Sequence, residues 1–218
     1  MKIFLDTANL TEIEEAASYG VLDGVTTNPS LMAKEGIKGK AAIDEHYKRI
    51  CQLVGEGDVS AEVLATDFDG MLKEGKQLAT LHENIVVKVP CTQDGIKAIA
   101  ALAEEGIRTN CTLVFSLSQA LLAAKAGAYY VSPFVGRLDD ISEDGIALIT
   151  DIVDCYEHYM FDTEVLAASI RHPQHIYRCI KANADVVTCP LPVLRALFKH
   201  PLTDAGLAKF IEDSKKMN

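Results

Sequence analysis

The residues of this sequence best suited to chemistry are ionisable side chains inside apolar segments. Lys88 lies within VVKVP, Asp6 ends KIFLD, and Glu62 lies within VSAEVLA. An ammonium group surrounded by valines loses hydration, which lowers the pKa of the amine and favours its nucleophilic form. A lysine of this kind attacks carbonyl carbons to form a Schiff base, and two nearby carboxylates could divide the accompanying proton transfers.

Neutral polar residues in similar segments could complete such a site. Thr112 could hold a water molecule for Glu62, and Asn28 and Asn110 are suited to hydrogen bonding with substrate hydroxyls. Thr26 lies on the same strand face as Asn28, because side chains alternate along a strand with a period of two. The sequence therefore predicts hydroxyl and amide groups around the three ionisable residues.

Two arginines indicate that the site also binds an anion. Arg137 and Arg171 follow the sixth and seventh apolar segments, in the runs FVGR and SIR. Either arginine alone is simply explained as a solvated loop residue. Together with Ser132 and Ser169 they favour a phosphate-binding site, since guanidinium groups bind phosphate through paired hydrogen bonds.

Short apolar segments alternate with longer amphipathic segments along the whole chain. Strands are predicted over 2–6, 23–28, 59–65, 85–89, 109–115, 129–135, 164–169 and 185–188. Helices are predicted over 11–18, 41–54, 68–81, 94–104, 116–126, 142–158 and 173–182, followed by a pair over 190–199 and 203–216. Apolar strands alternating with helices are typical of the α/β class, with a parallel sheet covered by helices.

Eight strand–helix units are the number that closes a (β/α)8 barrel, the TIM barrel. An open doubly wound sheet is the alternative, but no G-x-G-x-x-G run follows the first strand. No linker or low-complexity tract divides the chain. We therefore predict a single barrel domain over residues 1–218, with 203–216 as an additional C-terminal helix.

A barrel also predicts where the polar strand residues point. Outward-facing strand residues lie under helices, so ionisable residues inside strands should face the interior. Seven of the predicted strands carry a polar group near the C-terminal end, where barrel enzymes have their active sites. A charge network that stabilises the barrel is the alternative for Asp6, Glu62 and Lys88. Because buried charge is costly unless it is paired, the clustering favours a catalytic site.

Local signals predict where several helices begin and end. Thr11 and Glu14 form a capping box, and Thr203 with Asp204 can cap the final helix. Glycines follow three predicted helices, where a left-handed residue is favoured, at Gly20, Gly106 and Gly127.

Composition excludes several classes of partner. The 218 residues carry a formal net charge of −10, which argues against nonspecific binding to nucleic acid or to an anionic membrane surface. No segment approaches the run of about 18 apolar residues that a membrane-spanning helix needs. The six cysteines and six histidines show no metal-ligand spacing, so we expect reduced thiols, no bound metal and a cytoplasmic protein.

Motifs spread over nearly the whole chain resemble those of the transaldolase family. They are FLDTA (4–8), GVTTNPSL (24–31), VVKVP (86–90), NCTLVFS (110–116), QA (119–120), SPFVGR (132–137) and AASIR (167–171). The short chain is similar to the small transaldolase subfamily, which also contains fructose-6-phosphate aldolases.

This resemblance implies a class I mechanism without a cofactor. Lys88 matches the Schiff-base lysine, and Asp6 matches the carboxylate that accepts the C4-hydroxyl proton as the C3–C4 bond breaks. Glu62 and Thr112 match the pair that holds the catalytic water. The remaining matches are the sugar-hydroxyl contacts Asn28, Asn110 and Ser132 and the phosphate ligands Arg137 and Arg171.

Three positions bear on the branch of the family. Fructose-6-phosphate aldolases typically have Gln where Glu62 stands and Tyr where Phe134 stands, and often Lys where Arg171 stands. A phenyl ring cannot donate a hydrogen bond to the catalytic water, so the enamine should survive to be transferred. We therefore expect a transaldolase of the pentose phosphate pathway. It would transfer dihydroxyacetone from sedoheptulose 7-phosphate to glyceraldehyde 3-phosphate, giving erythrose 4-phosphate and fructose 6-phosphate.

Two other functions stay open: a fructose-6-phosphate aldolase, and a sugar-phosphate-binding barrel without catalytic activity. Small family members form rings, often decamers of two pentamers, in which a C-terminal helix packs on a neighbour. The resemblance therefore also implies a homo-oligomer.

Overall fold

Eight parallel strands close into a barrel in the computed structural model, which describes residues 1–217. The strands are β1 (Lys2–Asp6), β2 (Gly24–Thr26), β3 (Asp58–Glu62), β4 (Ile85–Pro90), β5 (Thr109–Val114), β6 (Tyr130–Pro133), β7 (Glu164–Ala167) and β8 (Val186–Cys189). Each strand pairs with the next along the chain, and β8 pairs with β1. The closed order confirms the predicted (β/α)8 barrel over the open sheet.

The helices surround this barrel. They are α1 (Leu10–Ser18), α2 (Pro29–Lys34), α3 (Lys40–Val54), α4 (Phe68–Ala79), α5 (Gln93–Glu104), α6 (Leu117–Lys125), α7 (Val135–Asp139), α8 (Gly145–Tyr159), α9 (Pro173–Lys181), α10 (Leu191–Leu197) and α11 (Pro201–Ser214). The short helices α2 and α7 were not predicted; they follow β2 and β6 at the C-terminal end of the barrel, here called the mouth. Helix α11 confirms the additional C-terminal helix, and no helix within residues 1–217 is long and apolar enough to cross a membrane.

The apolar side chains of the strands form two layers. Outward residues such as Leu5 and Val87 pack under the helices. The inner apolar layer fills the barrel and consists of Phe4, Val86, Tyr130, Leu166, Ala168 and Val186. The rings of Phe4 and Tyr130 meet edge to face at 5.9 Å. A Cβ atom on Gly24 would lie 2.6 Å from the Phe4 ring, so this ring lies directly against the β2 backbone.

Charged side chains close the other end of the barrel, here called the bottom. Lys2 Nζ lies 2.8 Å from Glu164 Oε2, and Arg108 lies 2.6 Å from Asp58 Oδ1. The Tyr130 hydroxyl donates to the second Asp58 oxygen at 2.7 Å. These four charged side chains therefore form two ion pairs at the bottom.

Strand β5 departs from the predicted alternation. The register shifts between Cys111 and Val114, and Leu113 has a left-handed φ of 58°. A bulge of this kind inserts one extra residue and re-aims the side chains that follow. Regular alternation would place Leu113 in the outer layer with Cys111; Leu113 is instead exposed to solvent, and Val114 fills the outer layer beside Cys111.

Both predicted helix caps are wrong. Helix α1 is capped by Asn9, whose Oδ1 accepts from the Glu12 amide at 3.0 Å, so Thr11 already lies inside the first turn. Helix α11 begins at Pro201, and Thr203 and Asp204 follow inside its first turn. Its cap is His200, whose Nδ1 accepts from the Leu202 amide at 3.2 Å.

The predicted left-handed glycines are confirmed. Gly20, Gly106 and Gly127 have φ angles of 70°, 74° and 81° after helices α1, α5 and α6. A residue without a Cβ atom takes this conformation at little steric cost.

Candidate active site

The mouth of the barrel contains a cavity of about 140 Å³. Strands β1, β2, β4, β6 and β8 and the loops after β2, β6 and β7 contribute to its wall. The lining residues are Asp6, Thr26, Asn28, Lys88, Ser132, Phe134, Arg137, Ala168, Ser169 and Thr188. Eight of these ten residues were predicted as site residues from the sequence, so the barrel brings most of the predicted set together.

Lys88 is buried at the centre of this region, with 6% of its surface exposed. The register of β3 and β4 pairs Glu62 with Lys88. Lys88 Nζ lies 3.1 Å from Glu62 Oε2 and donates to the Thr27 carbonyl, also at 3.1 Å. The amine is therefore oriented by a carboxylate and a backbone oxygen, with its end at the cavity wall.

Asp6 lines the same cavity as Lys88. The Thr26 hydroxyl donates to Asp6 Oδ1 at 2.8 Å. Desolvation raises the pKa of Asp6 above its ordinary value, although the Lys88 ammonium and the Thr26 hydrogen bond act in the opposite direction. A carboxyl whose pKa is raised is closer to the condition in which it can exchange a proton at neutral pH.

Asn28 both caps a helix and lines the cavity. It caps helix α2, and its Oδ1 accepts from the Leu31 amide at 3.0 Å. This cap uses the amide oxygen and leaves the Nδ2 donor for another partner at the cavity wall.

A second group of predicted residues lies behind the wall, on β5 and β6. Ser132 donates to Asn110 Oδ1 at 2.7 Å, and Asn110 Nδ2 donates to Ser60 at 3.1 Å. Asn110 is fully buried and is not part of the cavity wall, whereas Ser132 is. The Thr112 hydroxyl is also buried, and it has no hydrogen-bond partner among the described residues. Glu62 and Thr112 do not line the cavity.

Helix α7 carries the cationic side of the cavity. Its first turn contains Gly136, where a Cβ atom would lie 2.4 Å from the Ser169 carbonyl, so only glycine permits this close approach of α7 to the loop after β7. Arg137 follows and lies over the Phe134 ring, 5.3 Å from its centre. Ser169 has a left-handed φ of 59°, a strained conformation for a serine that turns the chain at the cavity rim.

Arg171 differs from Arg137 in its surroundings. Its guanidinium group forms a two-point ion pair with Asp140, and this pair lowers the pKa of Asp140. The Arg171 backbone amide donates to His175 Nδ1 at 3.3 Å, and His175 Nε2 lies 2.8 Å from Asp139 Oδ2. Arg171 is therefore held beside the end of α7 and does not line the cavity.

Three residues of this region were not predicted from the sequence: Ala168 and Thr188 on the cavity wall, and Asp140 beside Arg171. Thr188 lines the cavity and lies 2.6 Å from Thr26, oxygen to oxygen. The period-two argument applied to the last strand would have placed it inside the barrel with Val186. Asp140 had no such signal, because it follows a helix that the sequence did not predict.

Within residues 1–217, no cluster of three or more His, Cys, Asp or Glu side chains could hold a metal ion. The chemistry available at the mouth is that of a buried amine, two carboxyl groups, hydroxyl groups and an arginine. This combination can form and hydrolyse an imine and can move protons around it.

Comparison with known proteins agrees with this chemistry. Residues 3–218 match the transaldolase/fructose-6-phosphate aldolase family. The chain is 66% identical over 218 residues to a probable transaldolase of Parabacteroides distasonis, covering all of both chains. It is 64% identical over 218 residues to one of Porphyromonas gingivalis, covering 100% of this chain and 99% of the relative.

A solved structure with a similar fold is the thiamine phosphate pyrophosphorylase of Pyrococcus furiosus. Its TM-score is 0.61, with 18% identity over 87% of this chain and 85% of that chain, which supports the barrel fold alone. The family match spans nearly the whole sequence and includes all the residues of the mouth. The chain therefore belongs to the transaldolase/fructose-6-phosphate aldolase family.

Proposed function

We propose that this protein is a transaldolase. It transfers a dihydroxyacetone unit from sedoheptulose 7-phosphate to glyceraldehyde 3-phosphate, and the products are erythrose 4-phosphate and fructose 6-phosphate of the pentose phosphate pathway. Family membership and the names of the relatives support this reaction class. The observation that carries the proposal is the buried Lys88 amine, 3.1 Å from Glu62 and at the wall of the same cavity as Asp6.

In the first step the Lys88 amine attacks the C2 carbonyl of the ketose. The short distance between Nζ and Glu62 supports transfer of the ammonium proton to this carboxylate before attack. The carbinolamine oxygen then receives one proton from the attacking nitrogen and the proton held by Glu62, so it leaves as water and an iminium ion remains on Lys88. Thr112 has a buried hydroxyl without a protein partner among the described residues, which supports its role in holding that water with Glu62.

In the second step the C3–C4 bond breaks. The Asp6 carboxylate accepts the proton of the C4 hydroxyl, the aldose phosphate leaves, and the bonding electrons form an enamine on Lys88. The raised pKa of Asp6 makes it a more effective base for a hydroxyl proton. With the acceptor aldehyde the steps run in reverse: enamine C3 forms the new bond, Asp6 returns the proton, and water hydrolyses the iminium ion.

The remaining residues bind the sugar phosphate. Asn28, Asn110 and Ser132 are proposed to contact or orient the sugar hydroxyls, with Thr26 beside them. Arg137, Ser169 and Arg171 are proposed to bind the phosphate. Arg137 supports this role because, among the described residues, it lies in no ion pair within 4.0 Å. Arg171 contributes once the phosphate competes with Asp140 for its guanidinium group.

Borohydride trapping tests the covalent step directly. The protein is incubated with fructose 6-phosphate and sodium borohydride, digested, and mapped by mass spectrometry. We expect a reduced dihydroxyacetone or hexose phosphate adduct on Lys88 and none in Lys88→Met. An unmodified Lys88 would contradict the Schiff-base proposal and support the binding-only barrel, whereas an equal yield of adduct on another lysine would contradict the assignment of Lys88.

The fructose-6-phosphate aldolase activity is the second candidate. Phe134 opposes it, because its ring packs edge to face on Phe115 at 5.5 Å and offers no donor to a catalytic water. We expect release of free dihydroxyacetone from fructose 6-phosphate to be slow without an acceptor and transfer to be fast with one. Phe134→Tyr should increase the release, and Phe115→Tyr is the matched control outside the cavity lining. Rapid release by the unmodified protein would favour the aldolase.

We also propose a homo-oligomer in the cytoplasm. Helix α11 supports the oligomer because none of its residues is buried, and its large apolar side chains Leu202, Leu207, Phe210 and Ile211 are exposed. Light scattering after size exclusion should give a pentamer or decamer. The double variant Leu207→Glu/Phe210→Glu should shift this mass towards that of the monomer, whereas Lys209→Glu on the same helix should not; a monomeric wild type would contradict the proposal.

A further inference from the structure

Three side chains at the mouth form one chain of hydrogen bonds, which runs from Asp6 through Thr26 to Thr188. Thr26 lies 2.8 Å from Asp6 Oδ1 and 2.6 Å from the Thr188 hydroxyl. Thr26 and Thr188 are each 2% exposed. The barrel register explains the contact, because β1 lies between β2 and β8, with Asp6 paired to Thr26 and Phe4 paired to Thr188.

The direction of this chain follows from counting protons. A hydroxyl group has one proton to donate, and an ionised carboxylate can only accept. The Thr26 proton is therefore committed to Asp6, and the short contact between the two threonines requires the Thr188 proton. Thr188 donates to Thr26, and Thr26 donates to Asp6. Hydrogen bonds aligned in one direction polarise and strengthen each other.

We infer that Thr188 is a positioning residue that acts on Asp6 through Thr26. It fixes the Thr26 hydroxyl, and the fixed hydroxyl holds one carboxylate oxygen, so that the other oxygen is presented to the substrate. This inference rests on the proposed role of Asp6 as the base in carbon–carbon cleavage. It extends that role to a strand, β8, that contributes no other polar residue to the cavity wall.

A hydroxyl at this position is not needed for packing. The neighbours of Thr188 towards the barrel interior include the apolar residues Phe4 and Val186, and valine has nearly the same shape as threonine. Burying a hydroxyl costs free energy unless it is hydrogen bonded. The Thr188 hydroxyl is hydrogen bonded to Thr26, and through this bond it acts on the Thr26–Asp6 pair.

Other charged groups also act on Asp6 and must be considered in any pH measurement. The Lys88 ammonium and the more distant Lys34 on α2 favour the ionised carboxylate. Burial, together with the nearby Asp6 carboxylate, raises the pKa of the Cys189 thiol on β8 to about 12. Glu62 lies beyond Lys88 and is paired with it. These groups are unchanged when the Thr188 hydroxyl is removed.

The test compares Thr188→Val, which removes the hydroxyl, with Thr188→Ser, which keeps it. For Thr188→Val we expect kcat of transfer to fall roughly 3- to 10-fold, while KM for fructose 6-phosphate changes less than about 2-fold. The acid limb of its kcat/KM profile should move to higher pH, because a weaker Thr26 hydrogen bond raises the pKa of Asp6 further. Thr188→Ser should restore both the rate and the profile to within about 2-fold of wild type.

The outcomes separate this inference from the proposed function. If Thr188→Val keeps the wild-type rate and profile, or if Thr188→Ser is as impaired as Thr188→Val, the positioning role is wrong. If Asp6→Asn retains full cleavage while Lys88 still traps with borohydride, the proposed role of Asp6 fails. Circular dichroism and Tm check the fold, and if Thr188→Val does not fold, Thr188→Ala and Thr188→Cys replace it with the same expectations.

Discussion

The two ends of the barrel use the same residue types in opposite ways. At the bottom, Lys2 pairs with Glu164, and Arg108 and the Tyr130 hydroxyl share Asp58. At the mouth, the Asp6 carboxyl has a raised pKa and the Thr112 hydroxyl has no partner among the described residues. Charged groups that form ion pairs with one another stabilise the fold. Polar groups that lack some of their hydrogen-bond partners in the protein are available to bind a substrate.

The largest expected effect separates two lysines, Lys88 at the mouth and Lys2 at the bottom. Lys88→Met should lower kcat/KM for transfer by about 10⁴-fold or more, because no other amine lines the cavity. Lys2→Met should keep kcat/KM within about 3-fold but lower Tm, since Glu164 loses its partner. Steady-state kinetics and thermal unfolding of both variants make the measurement. If both variants lost activity to the same degree, the proposal that the mouth is catalytic and the bottom structural would be wrong.

A second comparison uses two arginines, Arg137 and Arg108. Arg137→Leu should raise KM for fructose 6-phosphate roughly 10- to 100-fold, because a charge-assisted contact with phosphate is lost. Its Tm should change little, since among the described residues the guanidinium forms no ion pair and lies over the Phe134 ring. Arg108→Leu should do the reverse, leaving KM unchanged and lowering Tm through loss of the Asp58 pair. An unchanged KM in Arg137→Leu would contradict the phosphate assignment.

Tyr130→Phe isolates one hydrogen bond at the bottom. It removes the donor to Asp58 Oδ2 and leaves the ring in the inner apolar layer. We expect a loss of about 2 kcal/mol in the free energy of unfolding, equivalent to a Tm decrease of about 4–8 °C. The activity should be retained. Calorimetry tests this result, and Tyr177→Phe on the exposed side of α9 is the control.

The smallest expected change in Tm has the opposite sign and is that of Asp6→Asn. Because burial raises the pKa of Asp6 in the folded protein, its contribution to stability is fully present below the unfolded-state pKa of about 3.9 and is lost as the pH rises. Asp6→Asn should therefore abolish transfer yet raise Tm by about 2–4 °C at pH 7–8, with no gain near pH 3. A Tm that falls at neutral pH would show that the ionised carboxylate stabilises the mouth.

The sequence predicted the barrel and its mouth because both depend on regular patterns. Apolar strands of near-constant spacing predict eight strand–helix units, and a period of two directs Asp6, Thr26 and Lys88 into the barrel. The closed strand order and the cavity lining agree with this placement. Their roles in catalysis stay predictions.

Irregular local geometry could not be predicted in the same way. The bulge after Cys111 places Leu113 in solvent, and no turn residue in the sequence marks it. The cap of α1 depends on the extended backbone of Asn9, which the Thr11–Glu14 capping-box pattern does not reveal. The Arg171–Asp140 pair depends on α7, a five-residue helix too short to give a periodic signal.

The inner apolar layer between the two ends has a practical consequence. The Phe4 and Tyr130 rings and the branched side chains around them separate the ion pairs of the bottom from the mouth. Groups separated in this way and without shared partners have free-energy changes that add to within about 0.5 kcal/mol. Protein engineers can therefore strengthen the bottom in one set of variants and alter specificity at the mouth in another. The two sets can be combined afterwards without searching their joint sequence space.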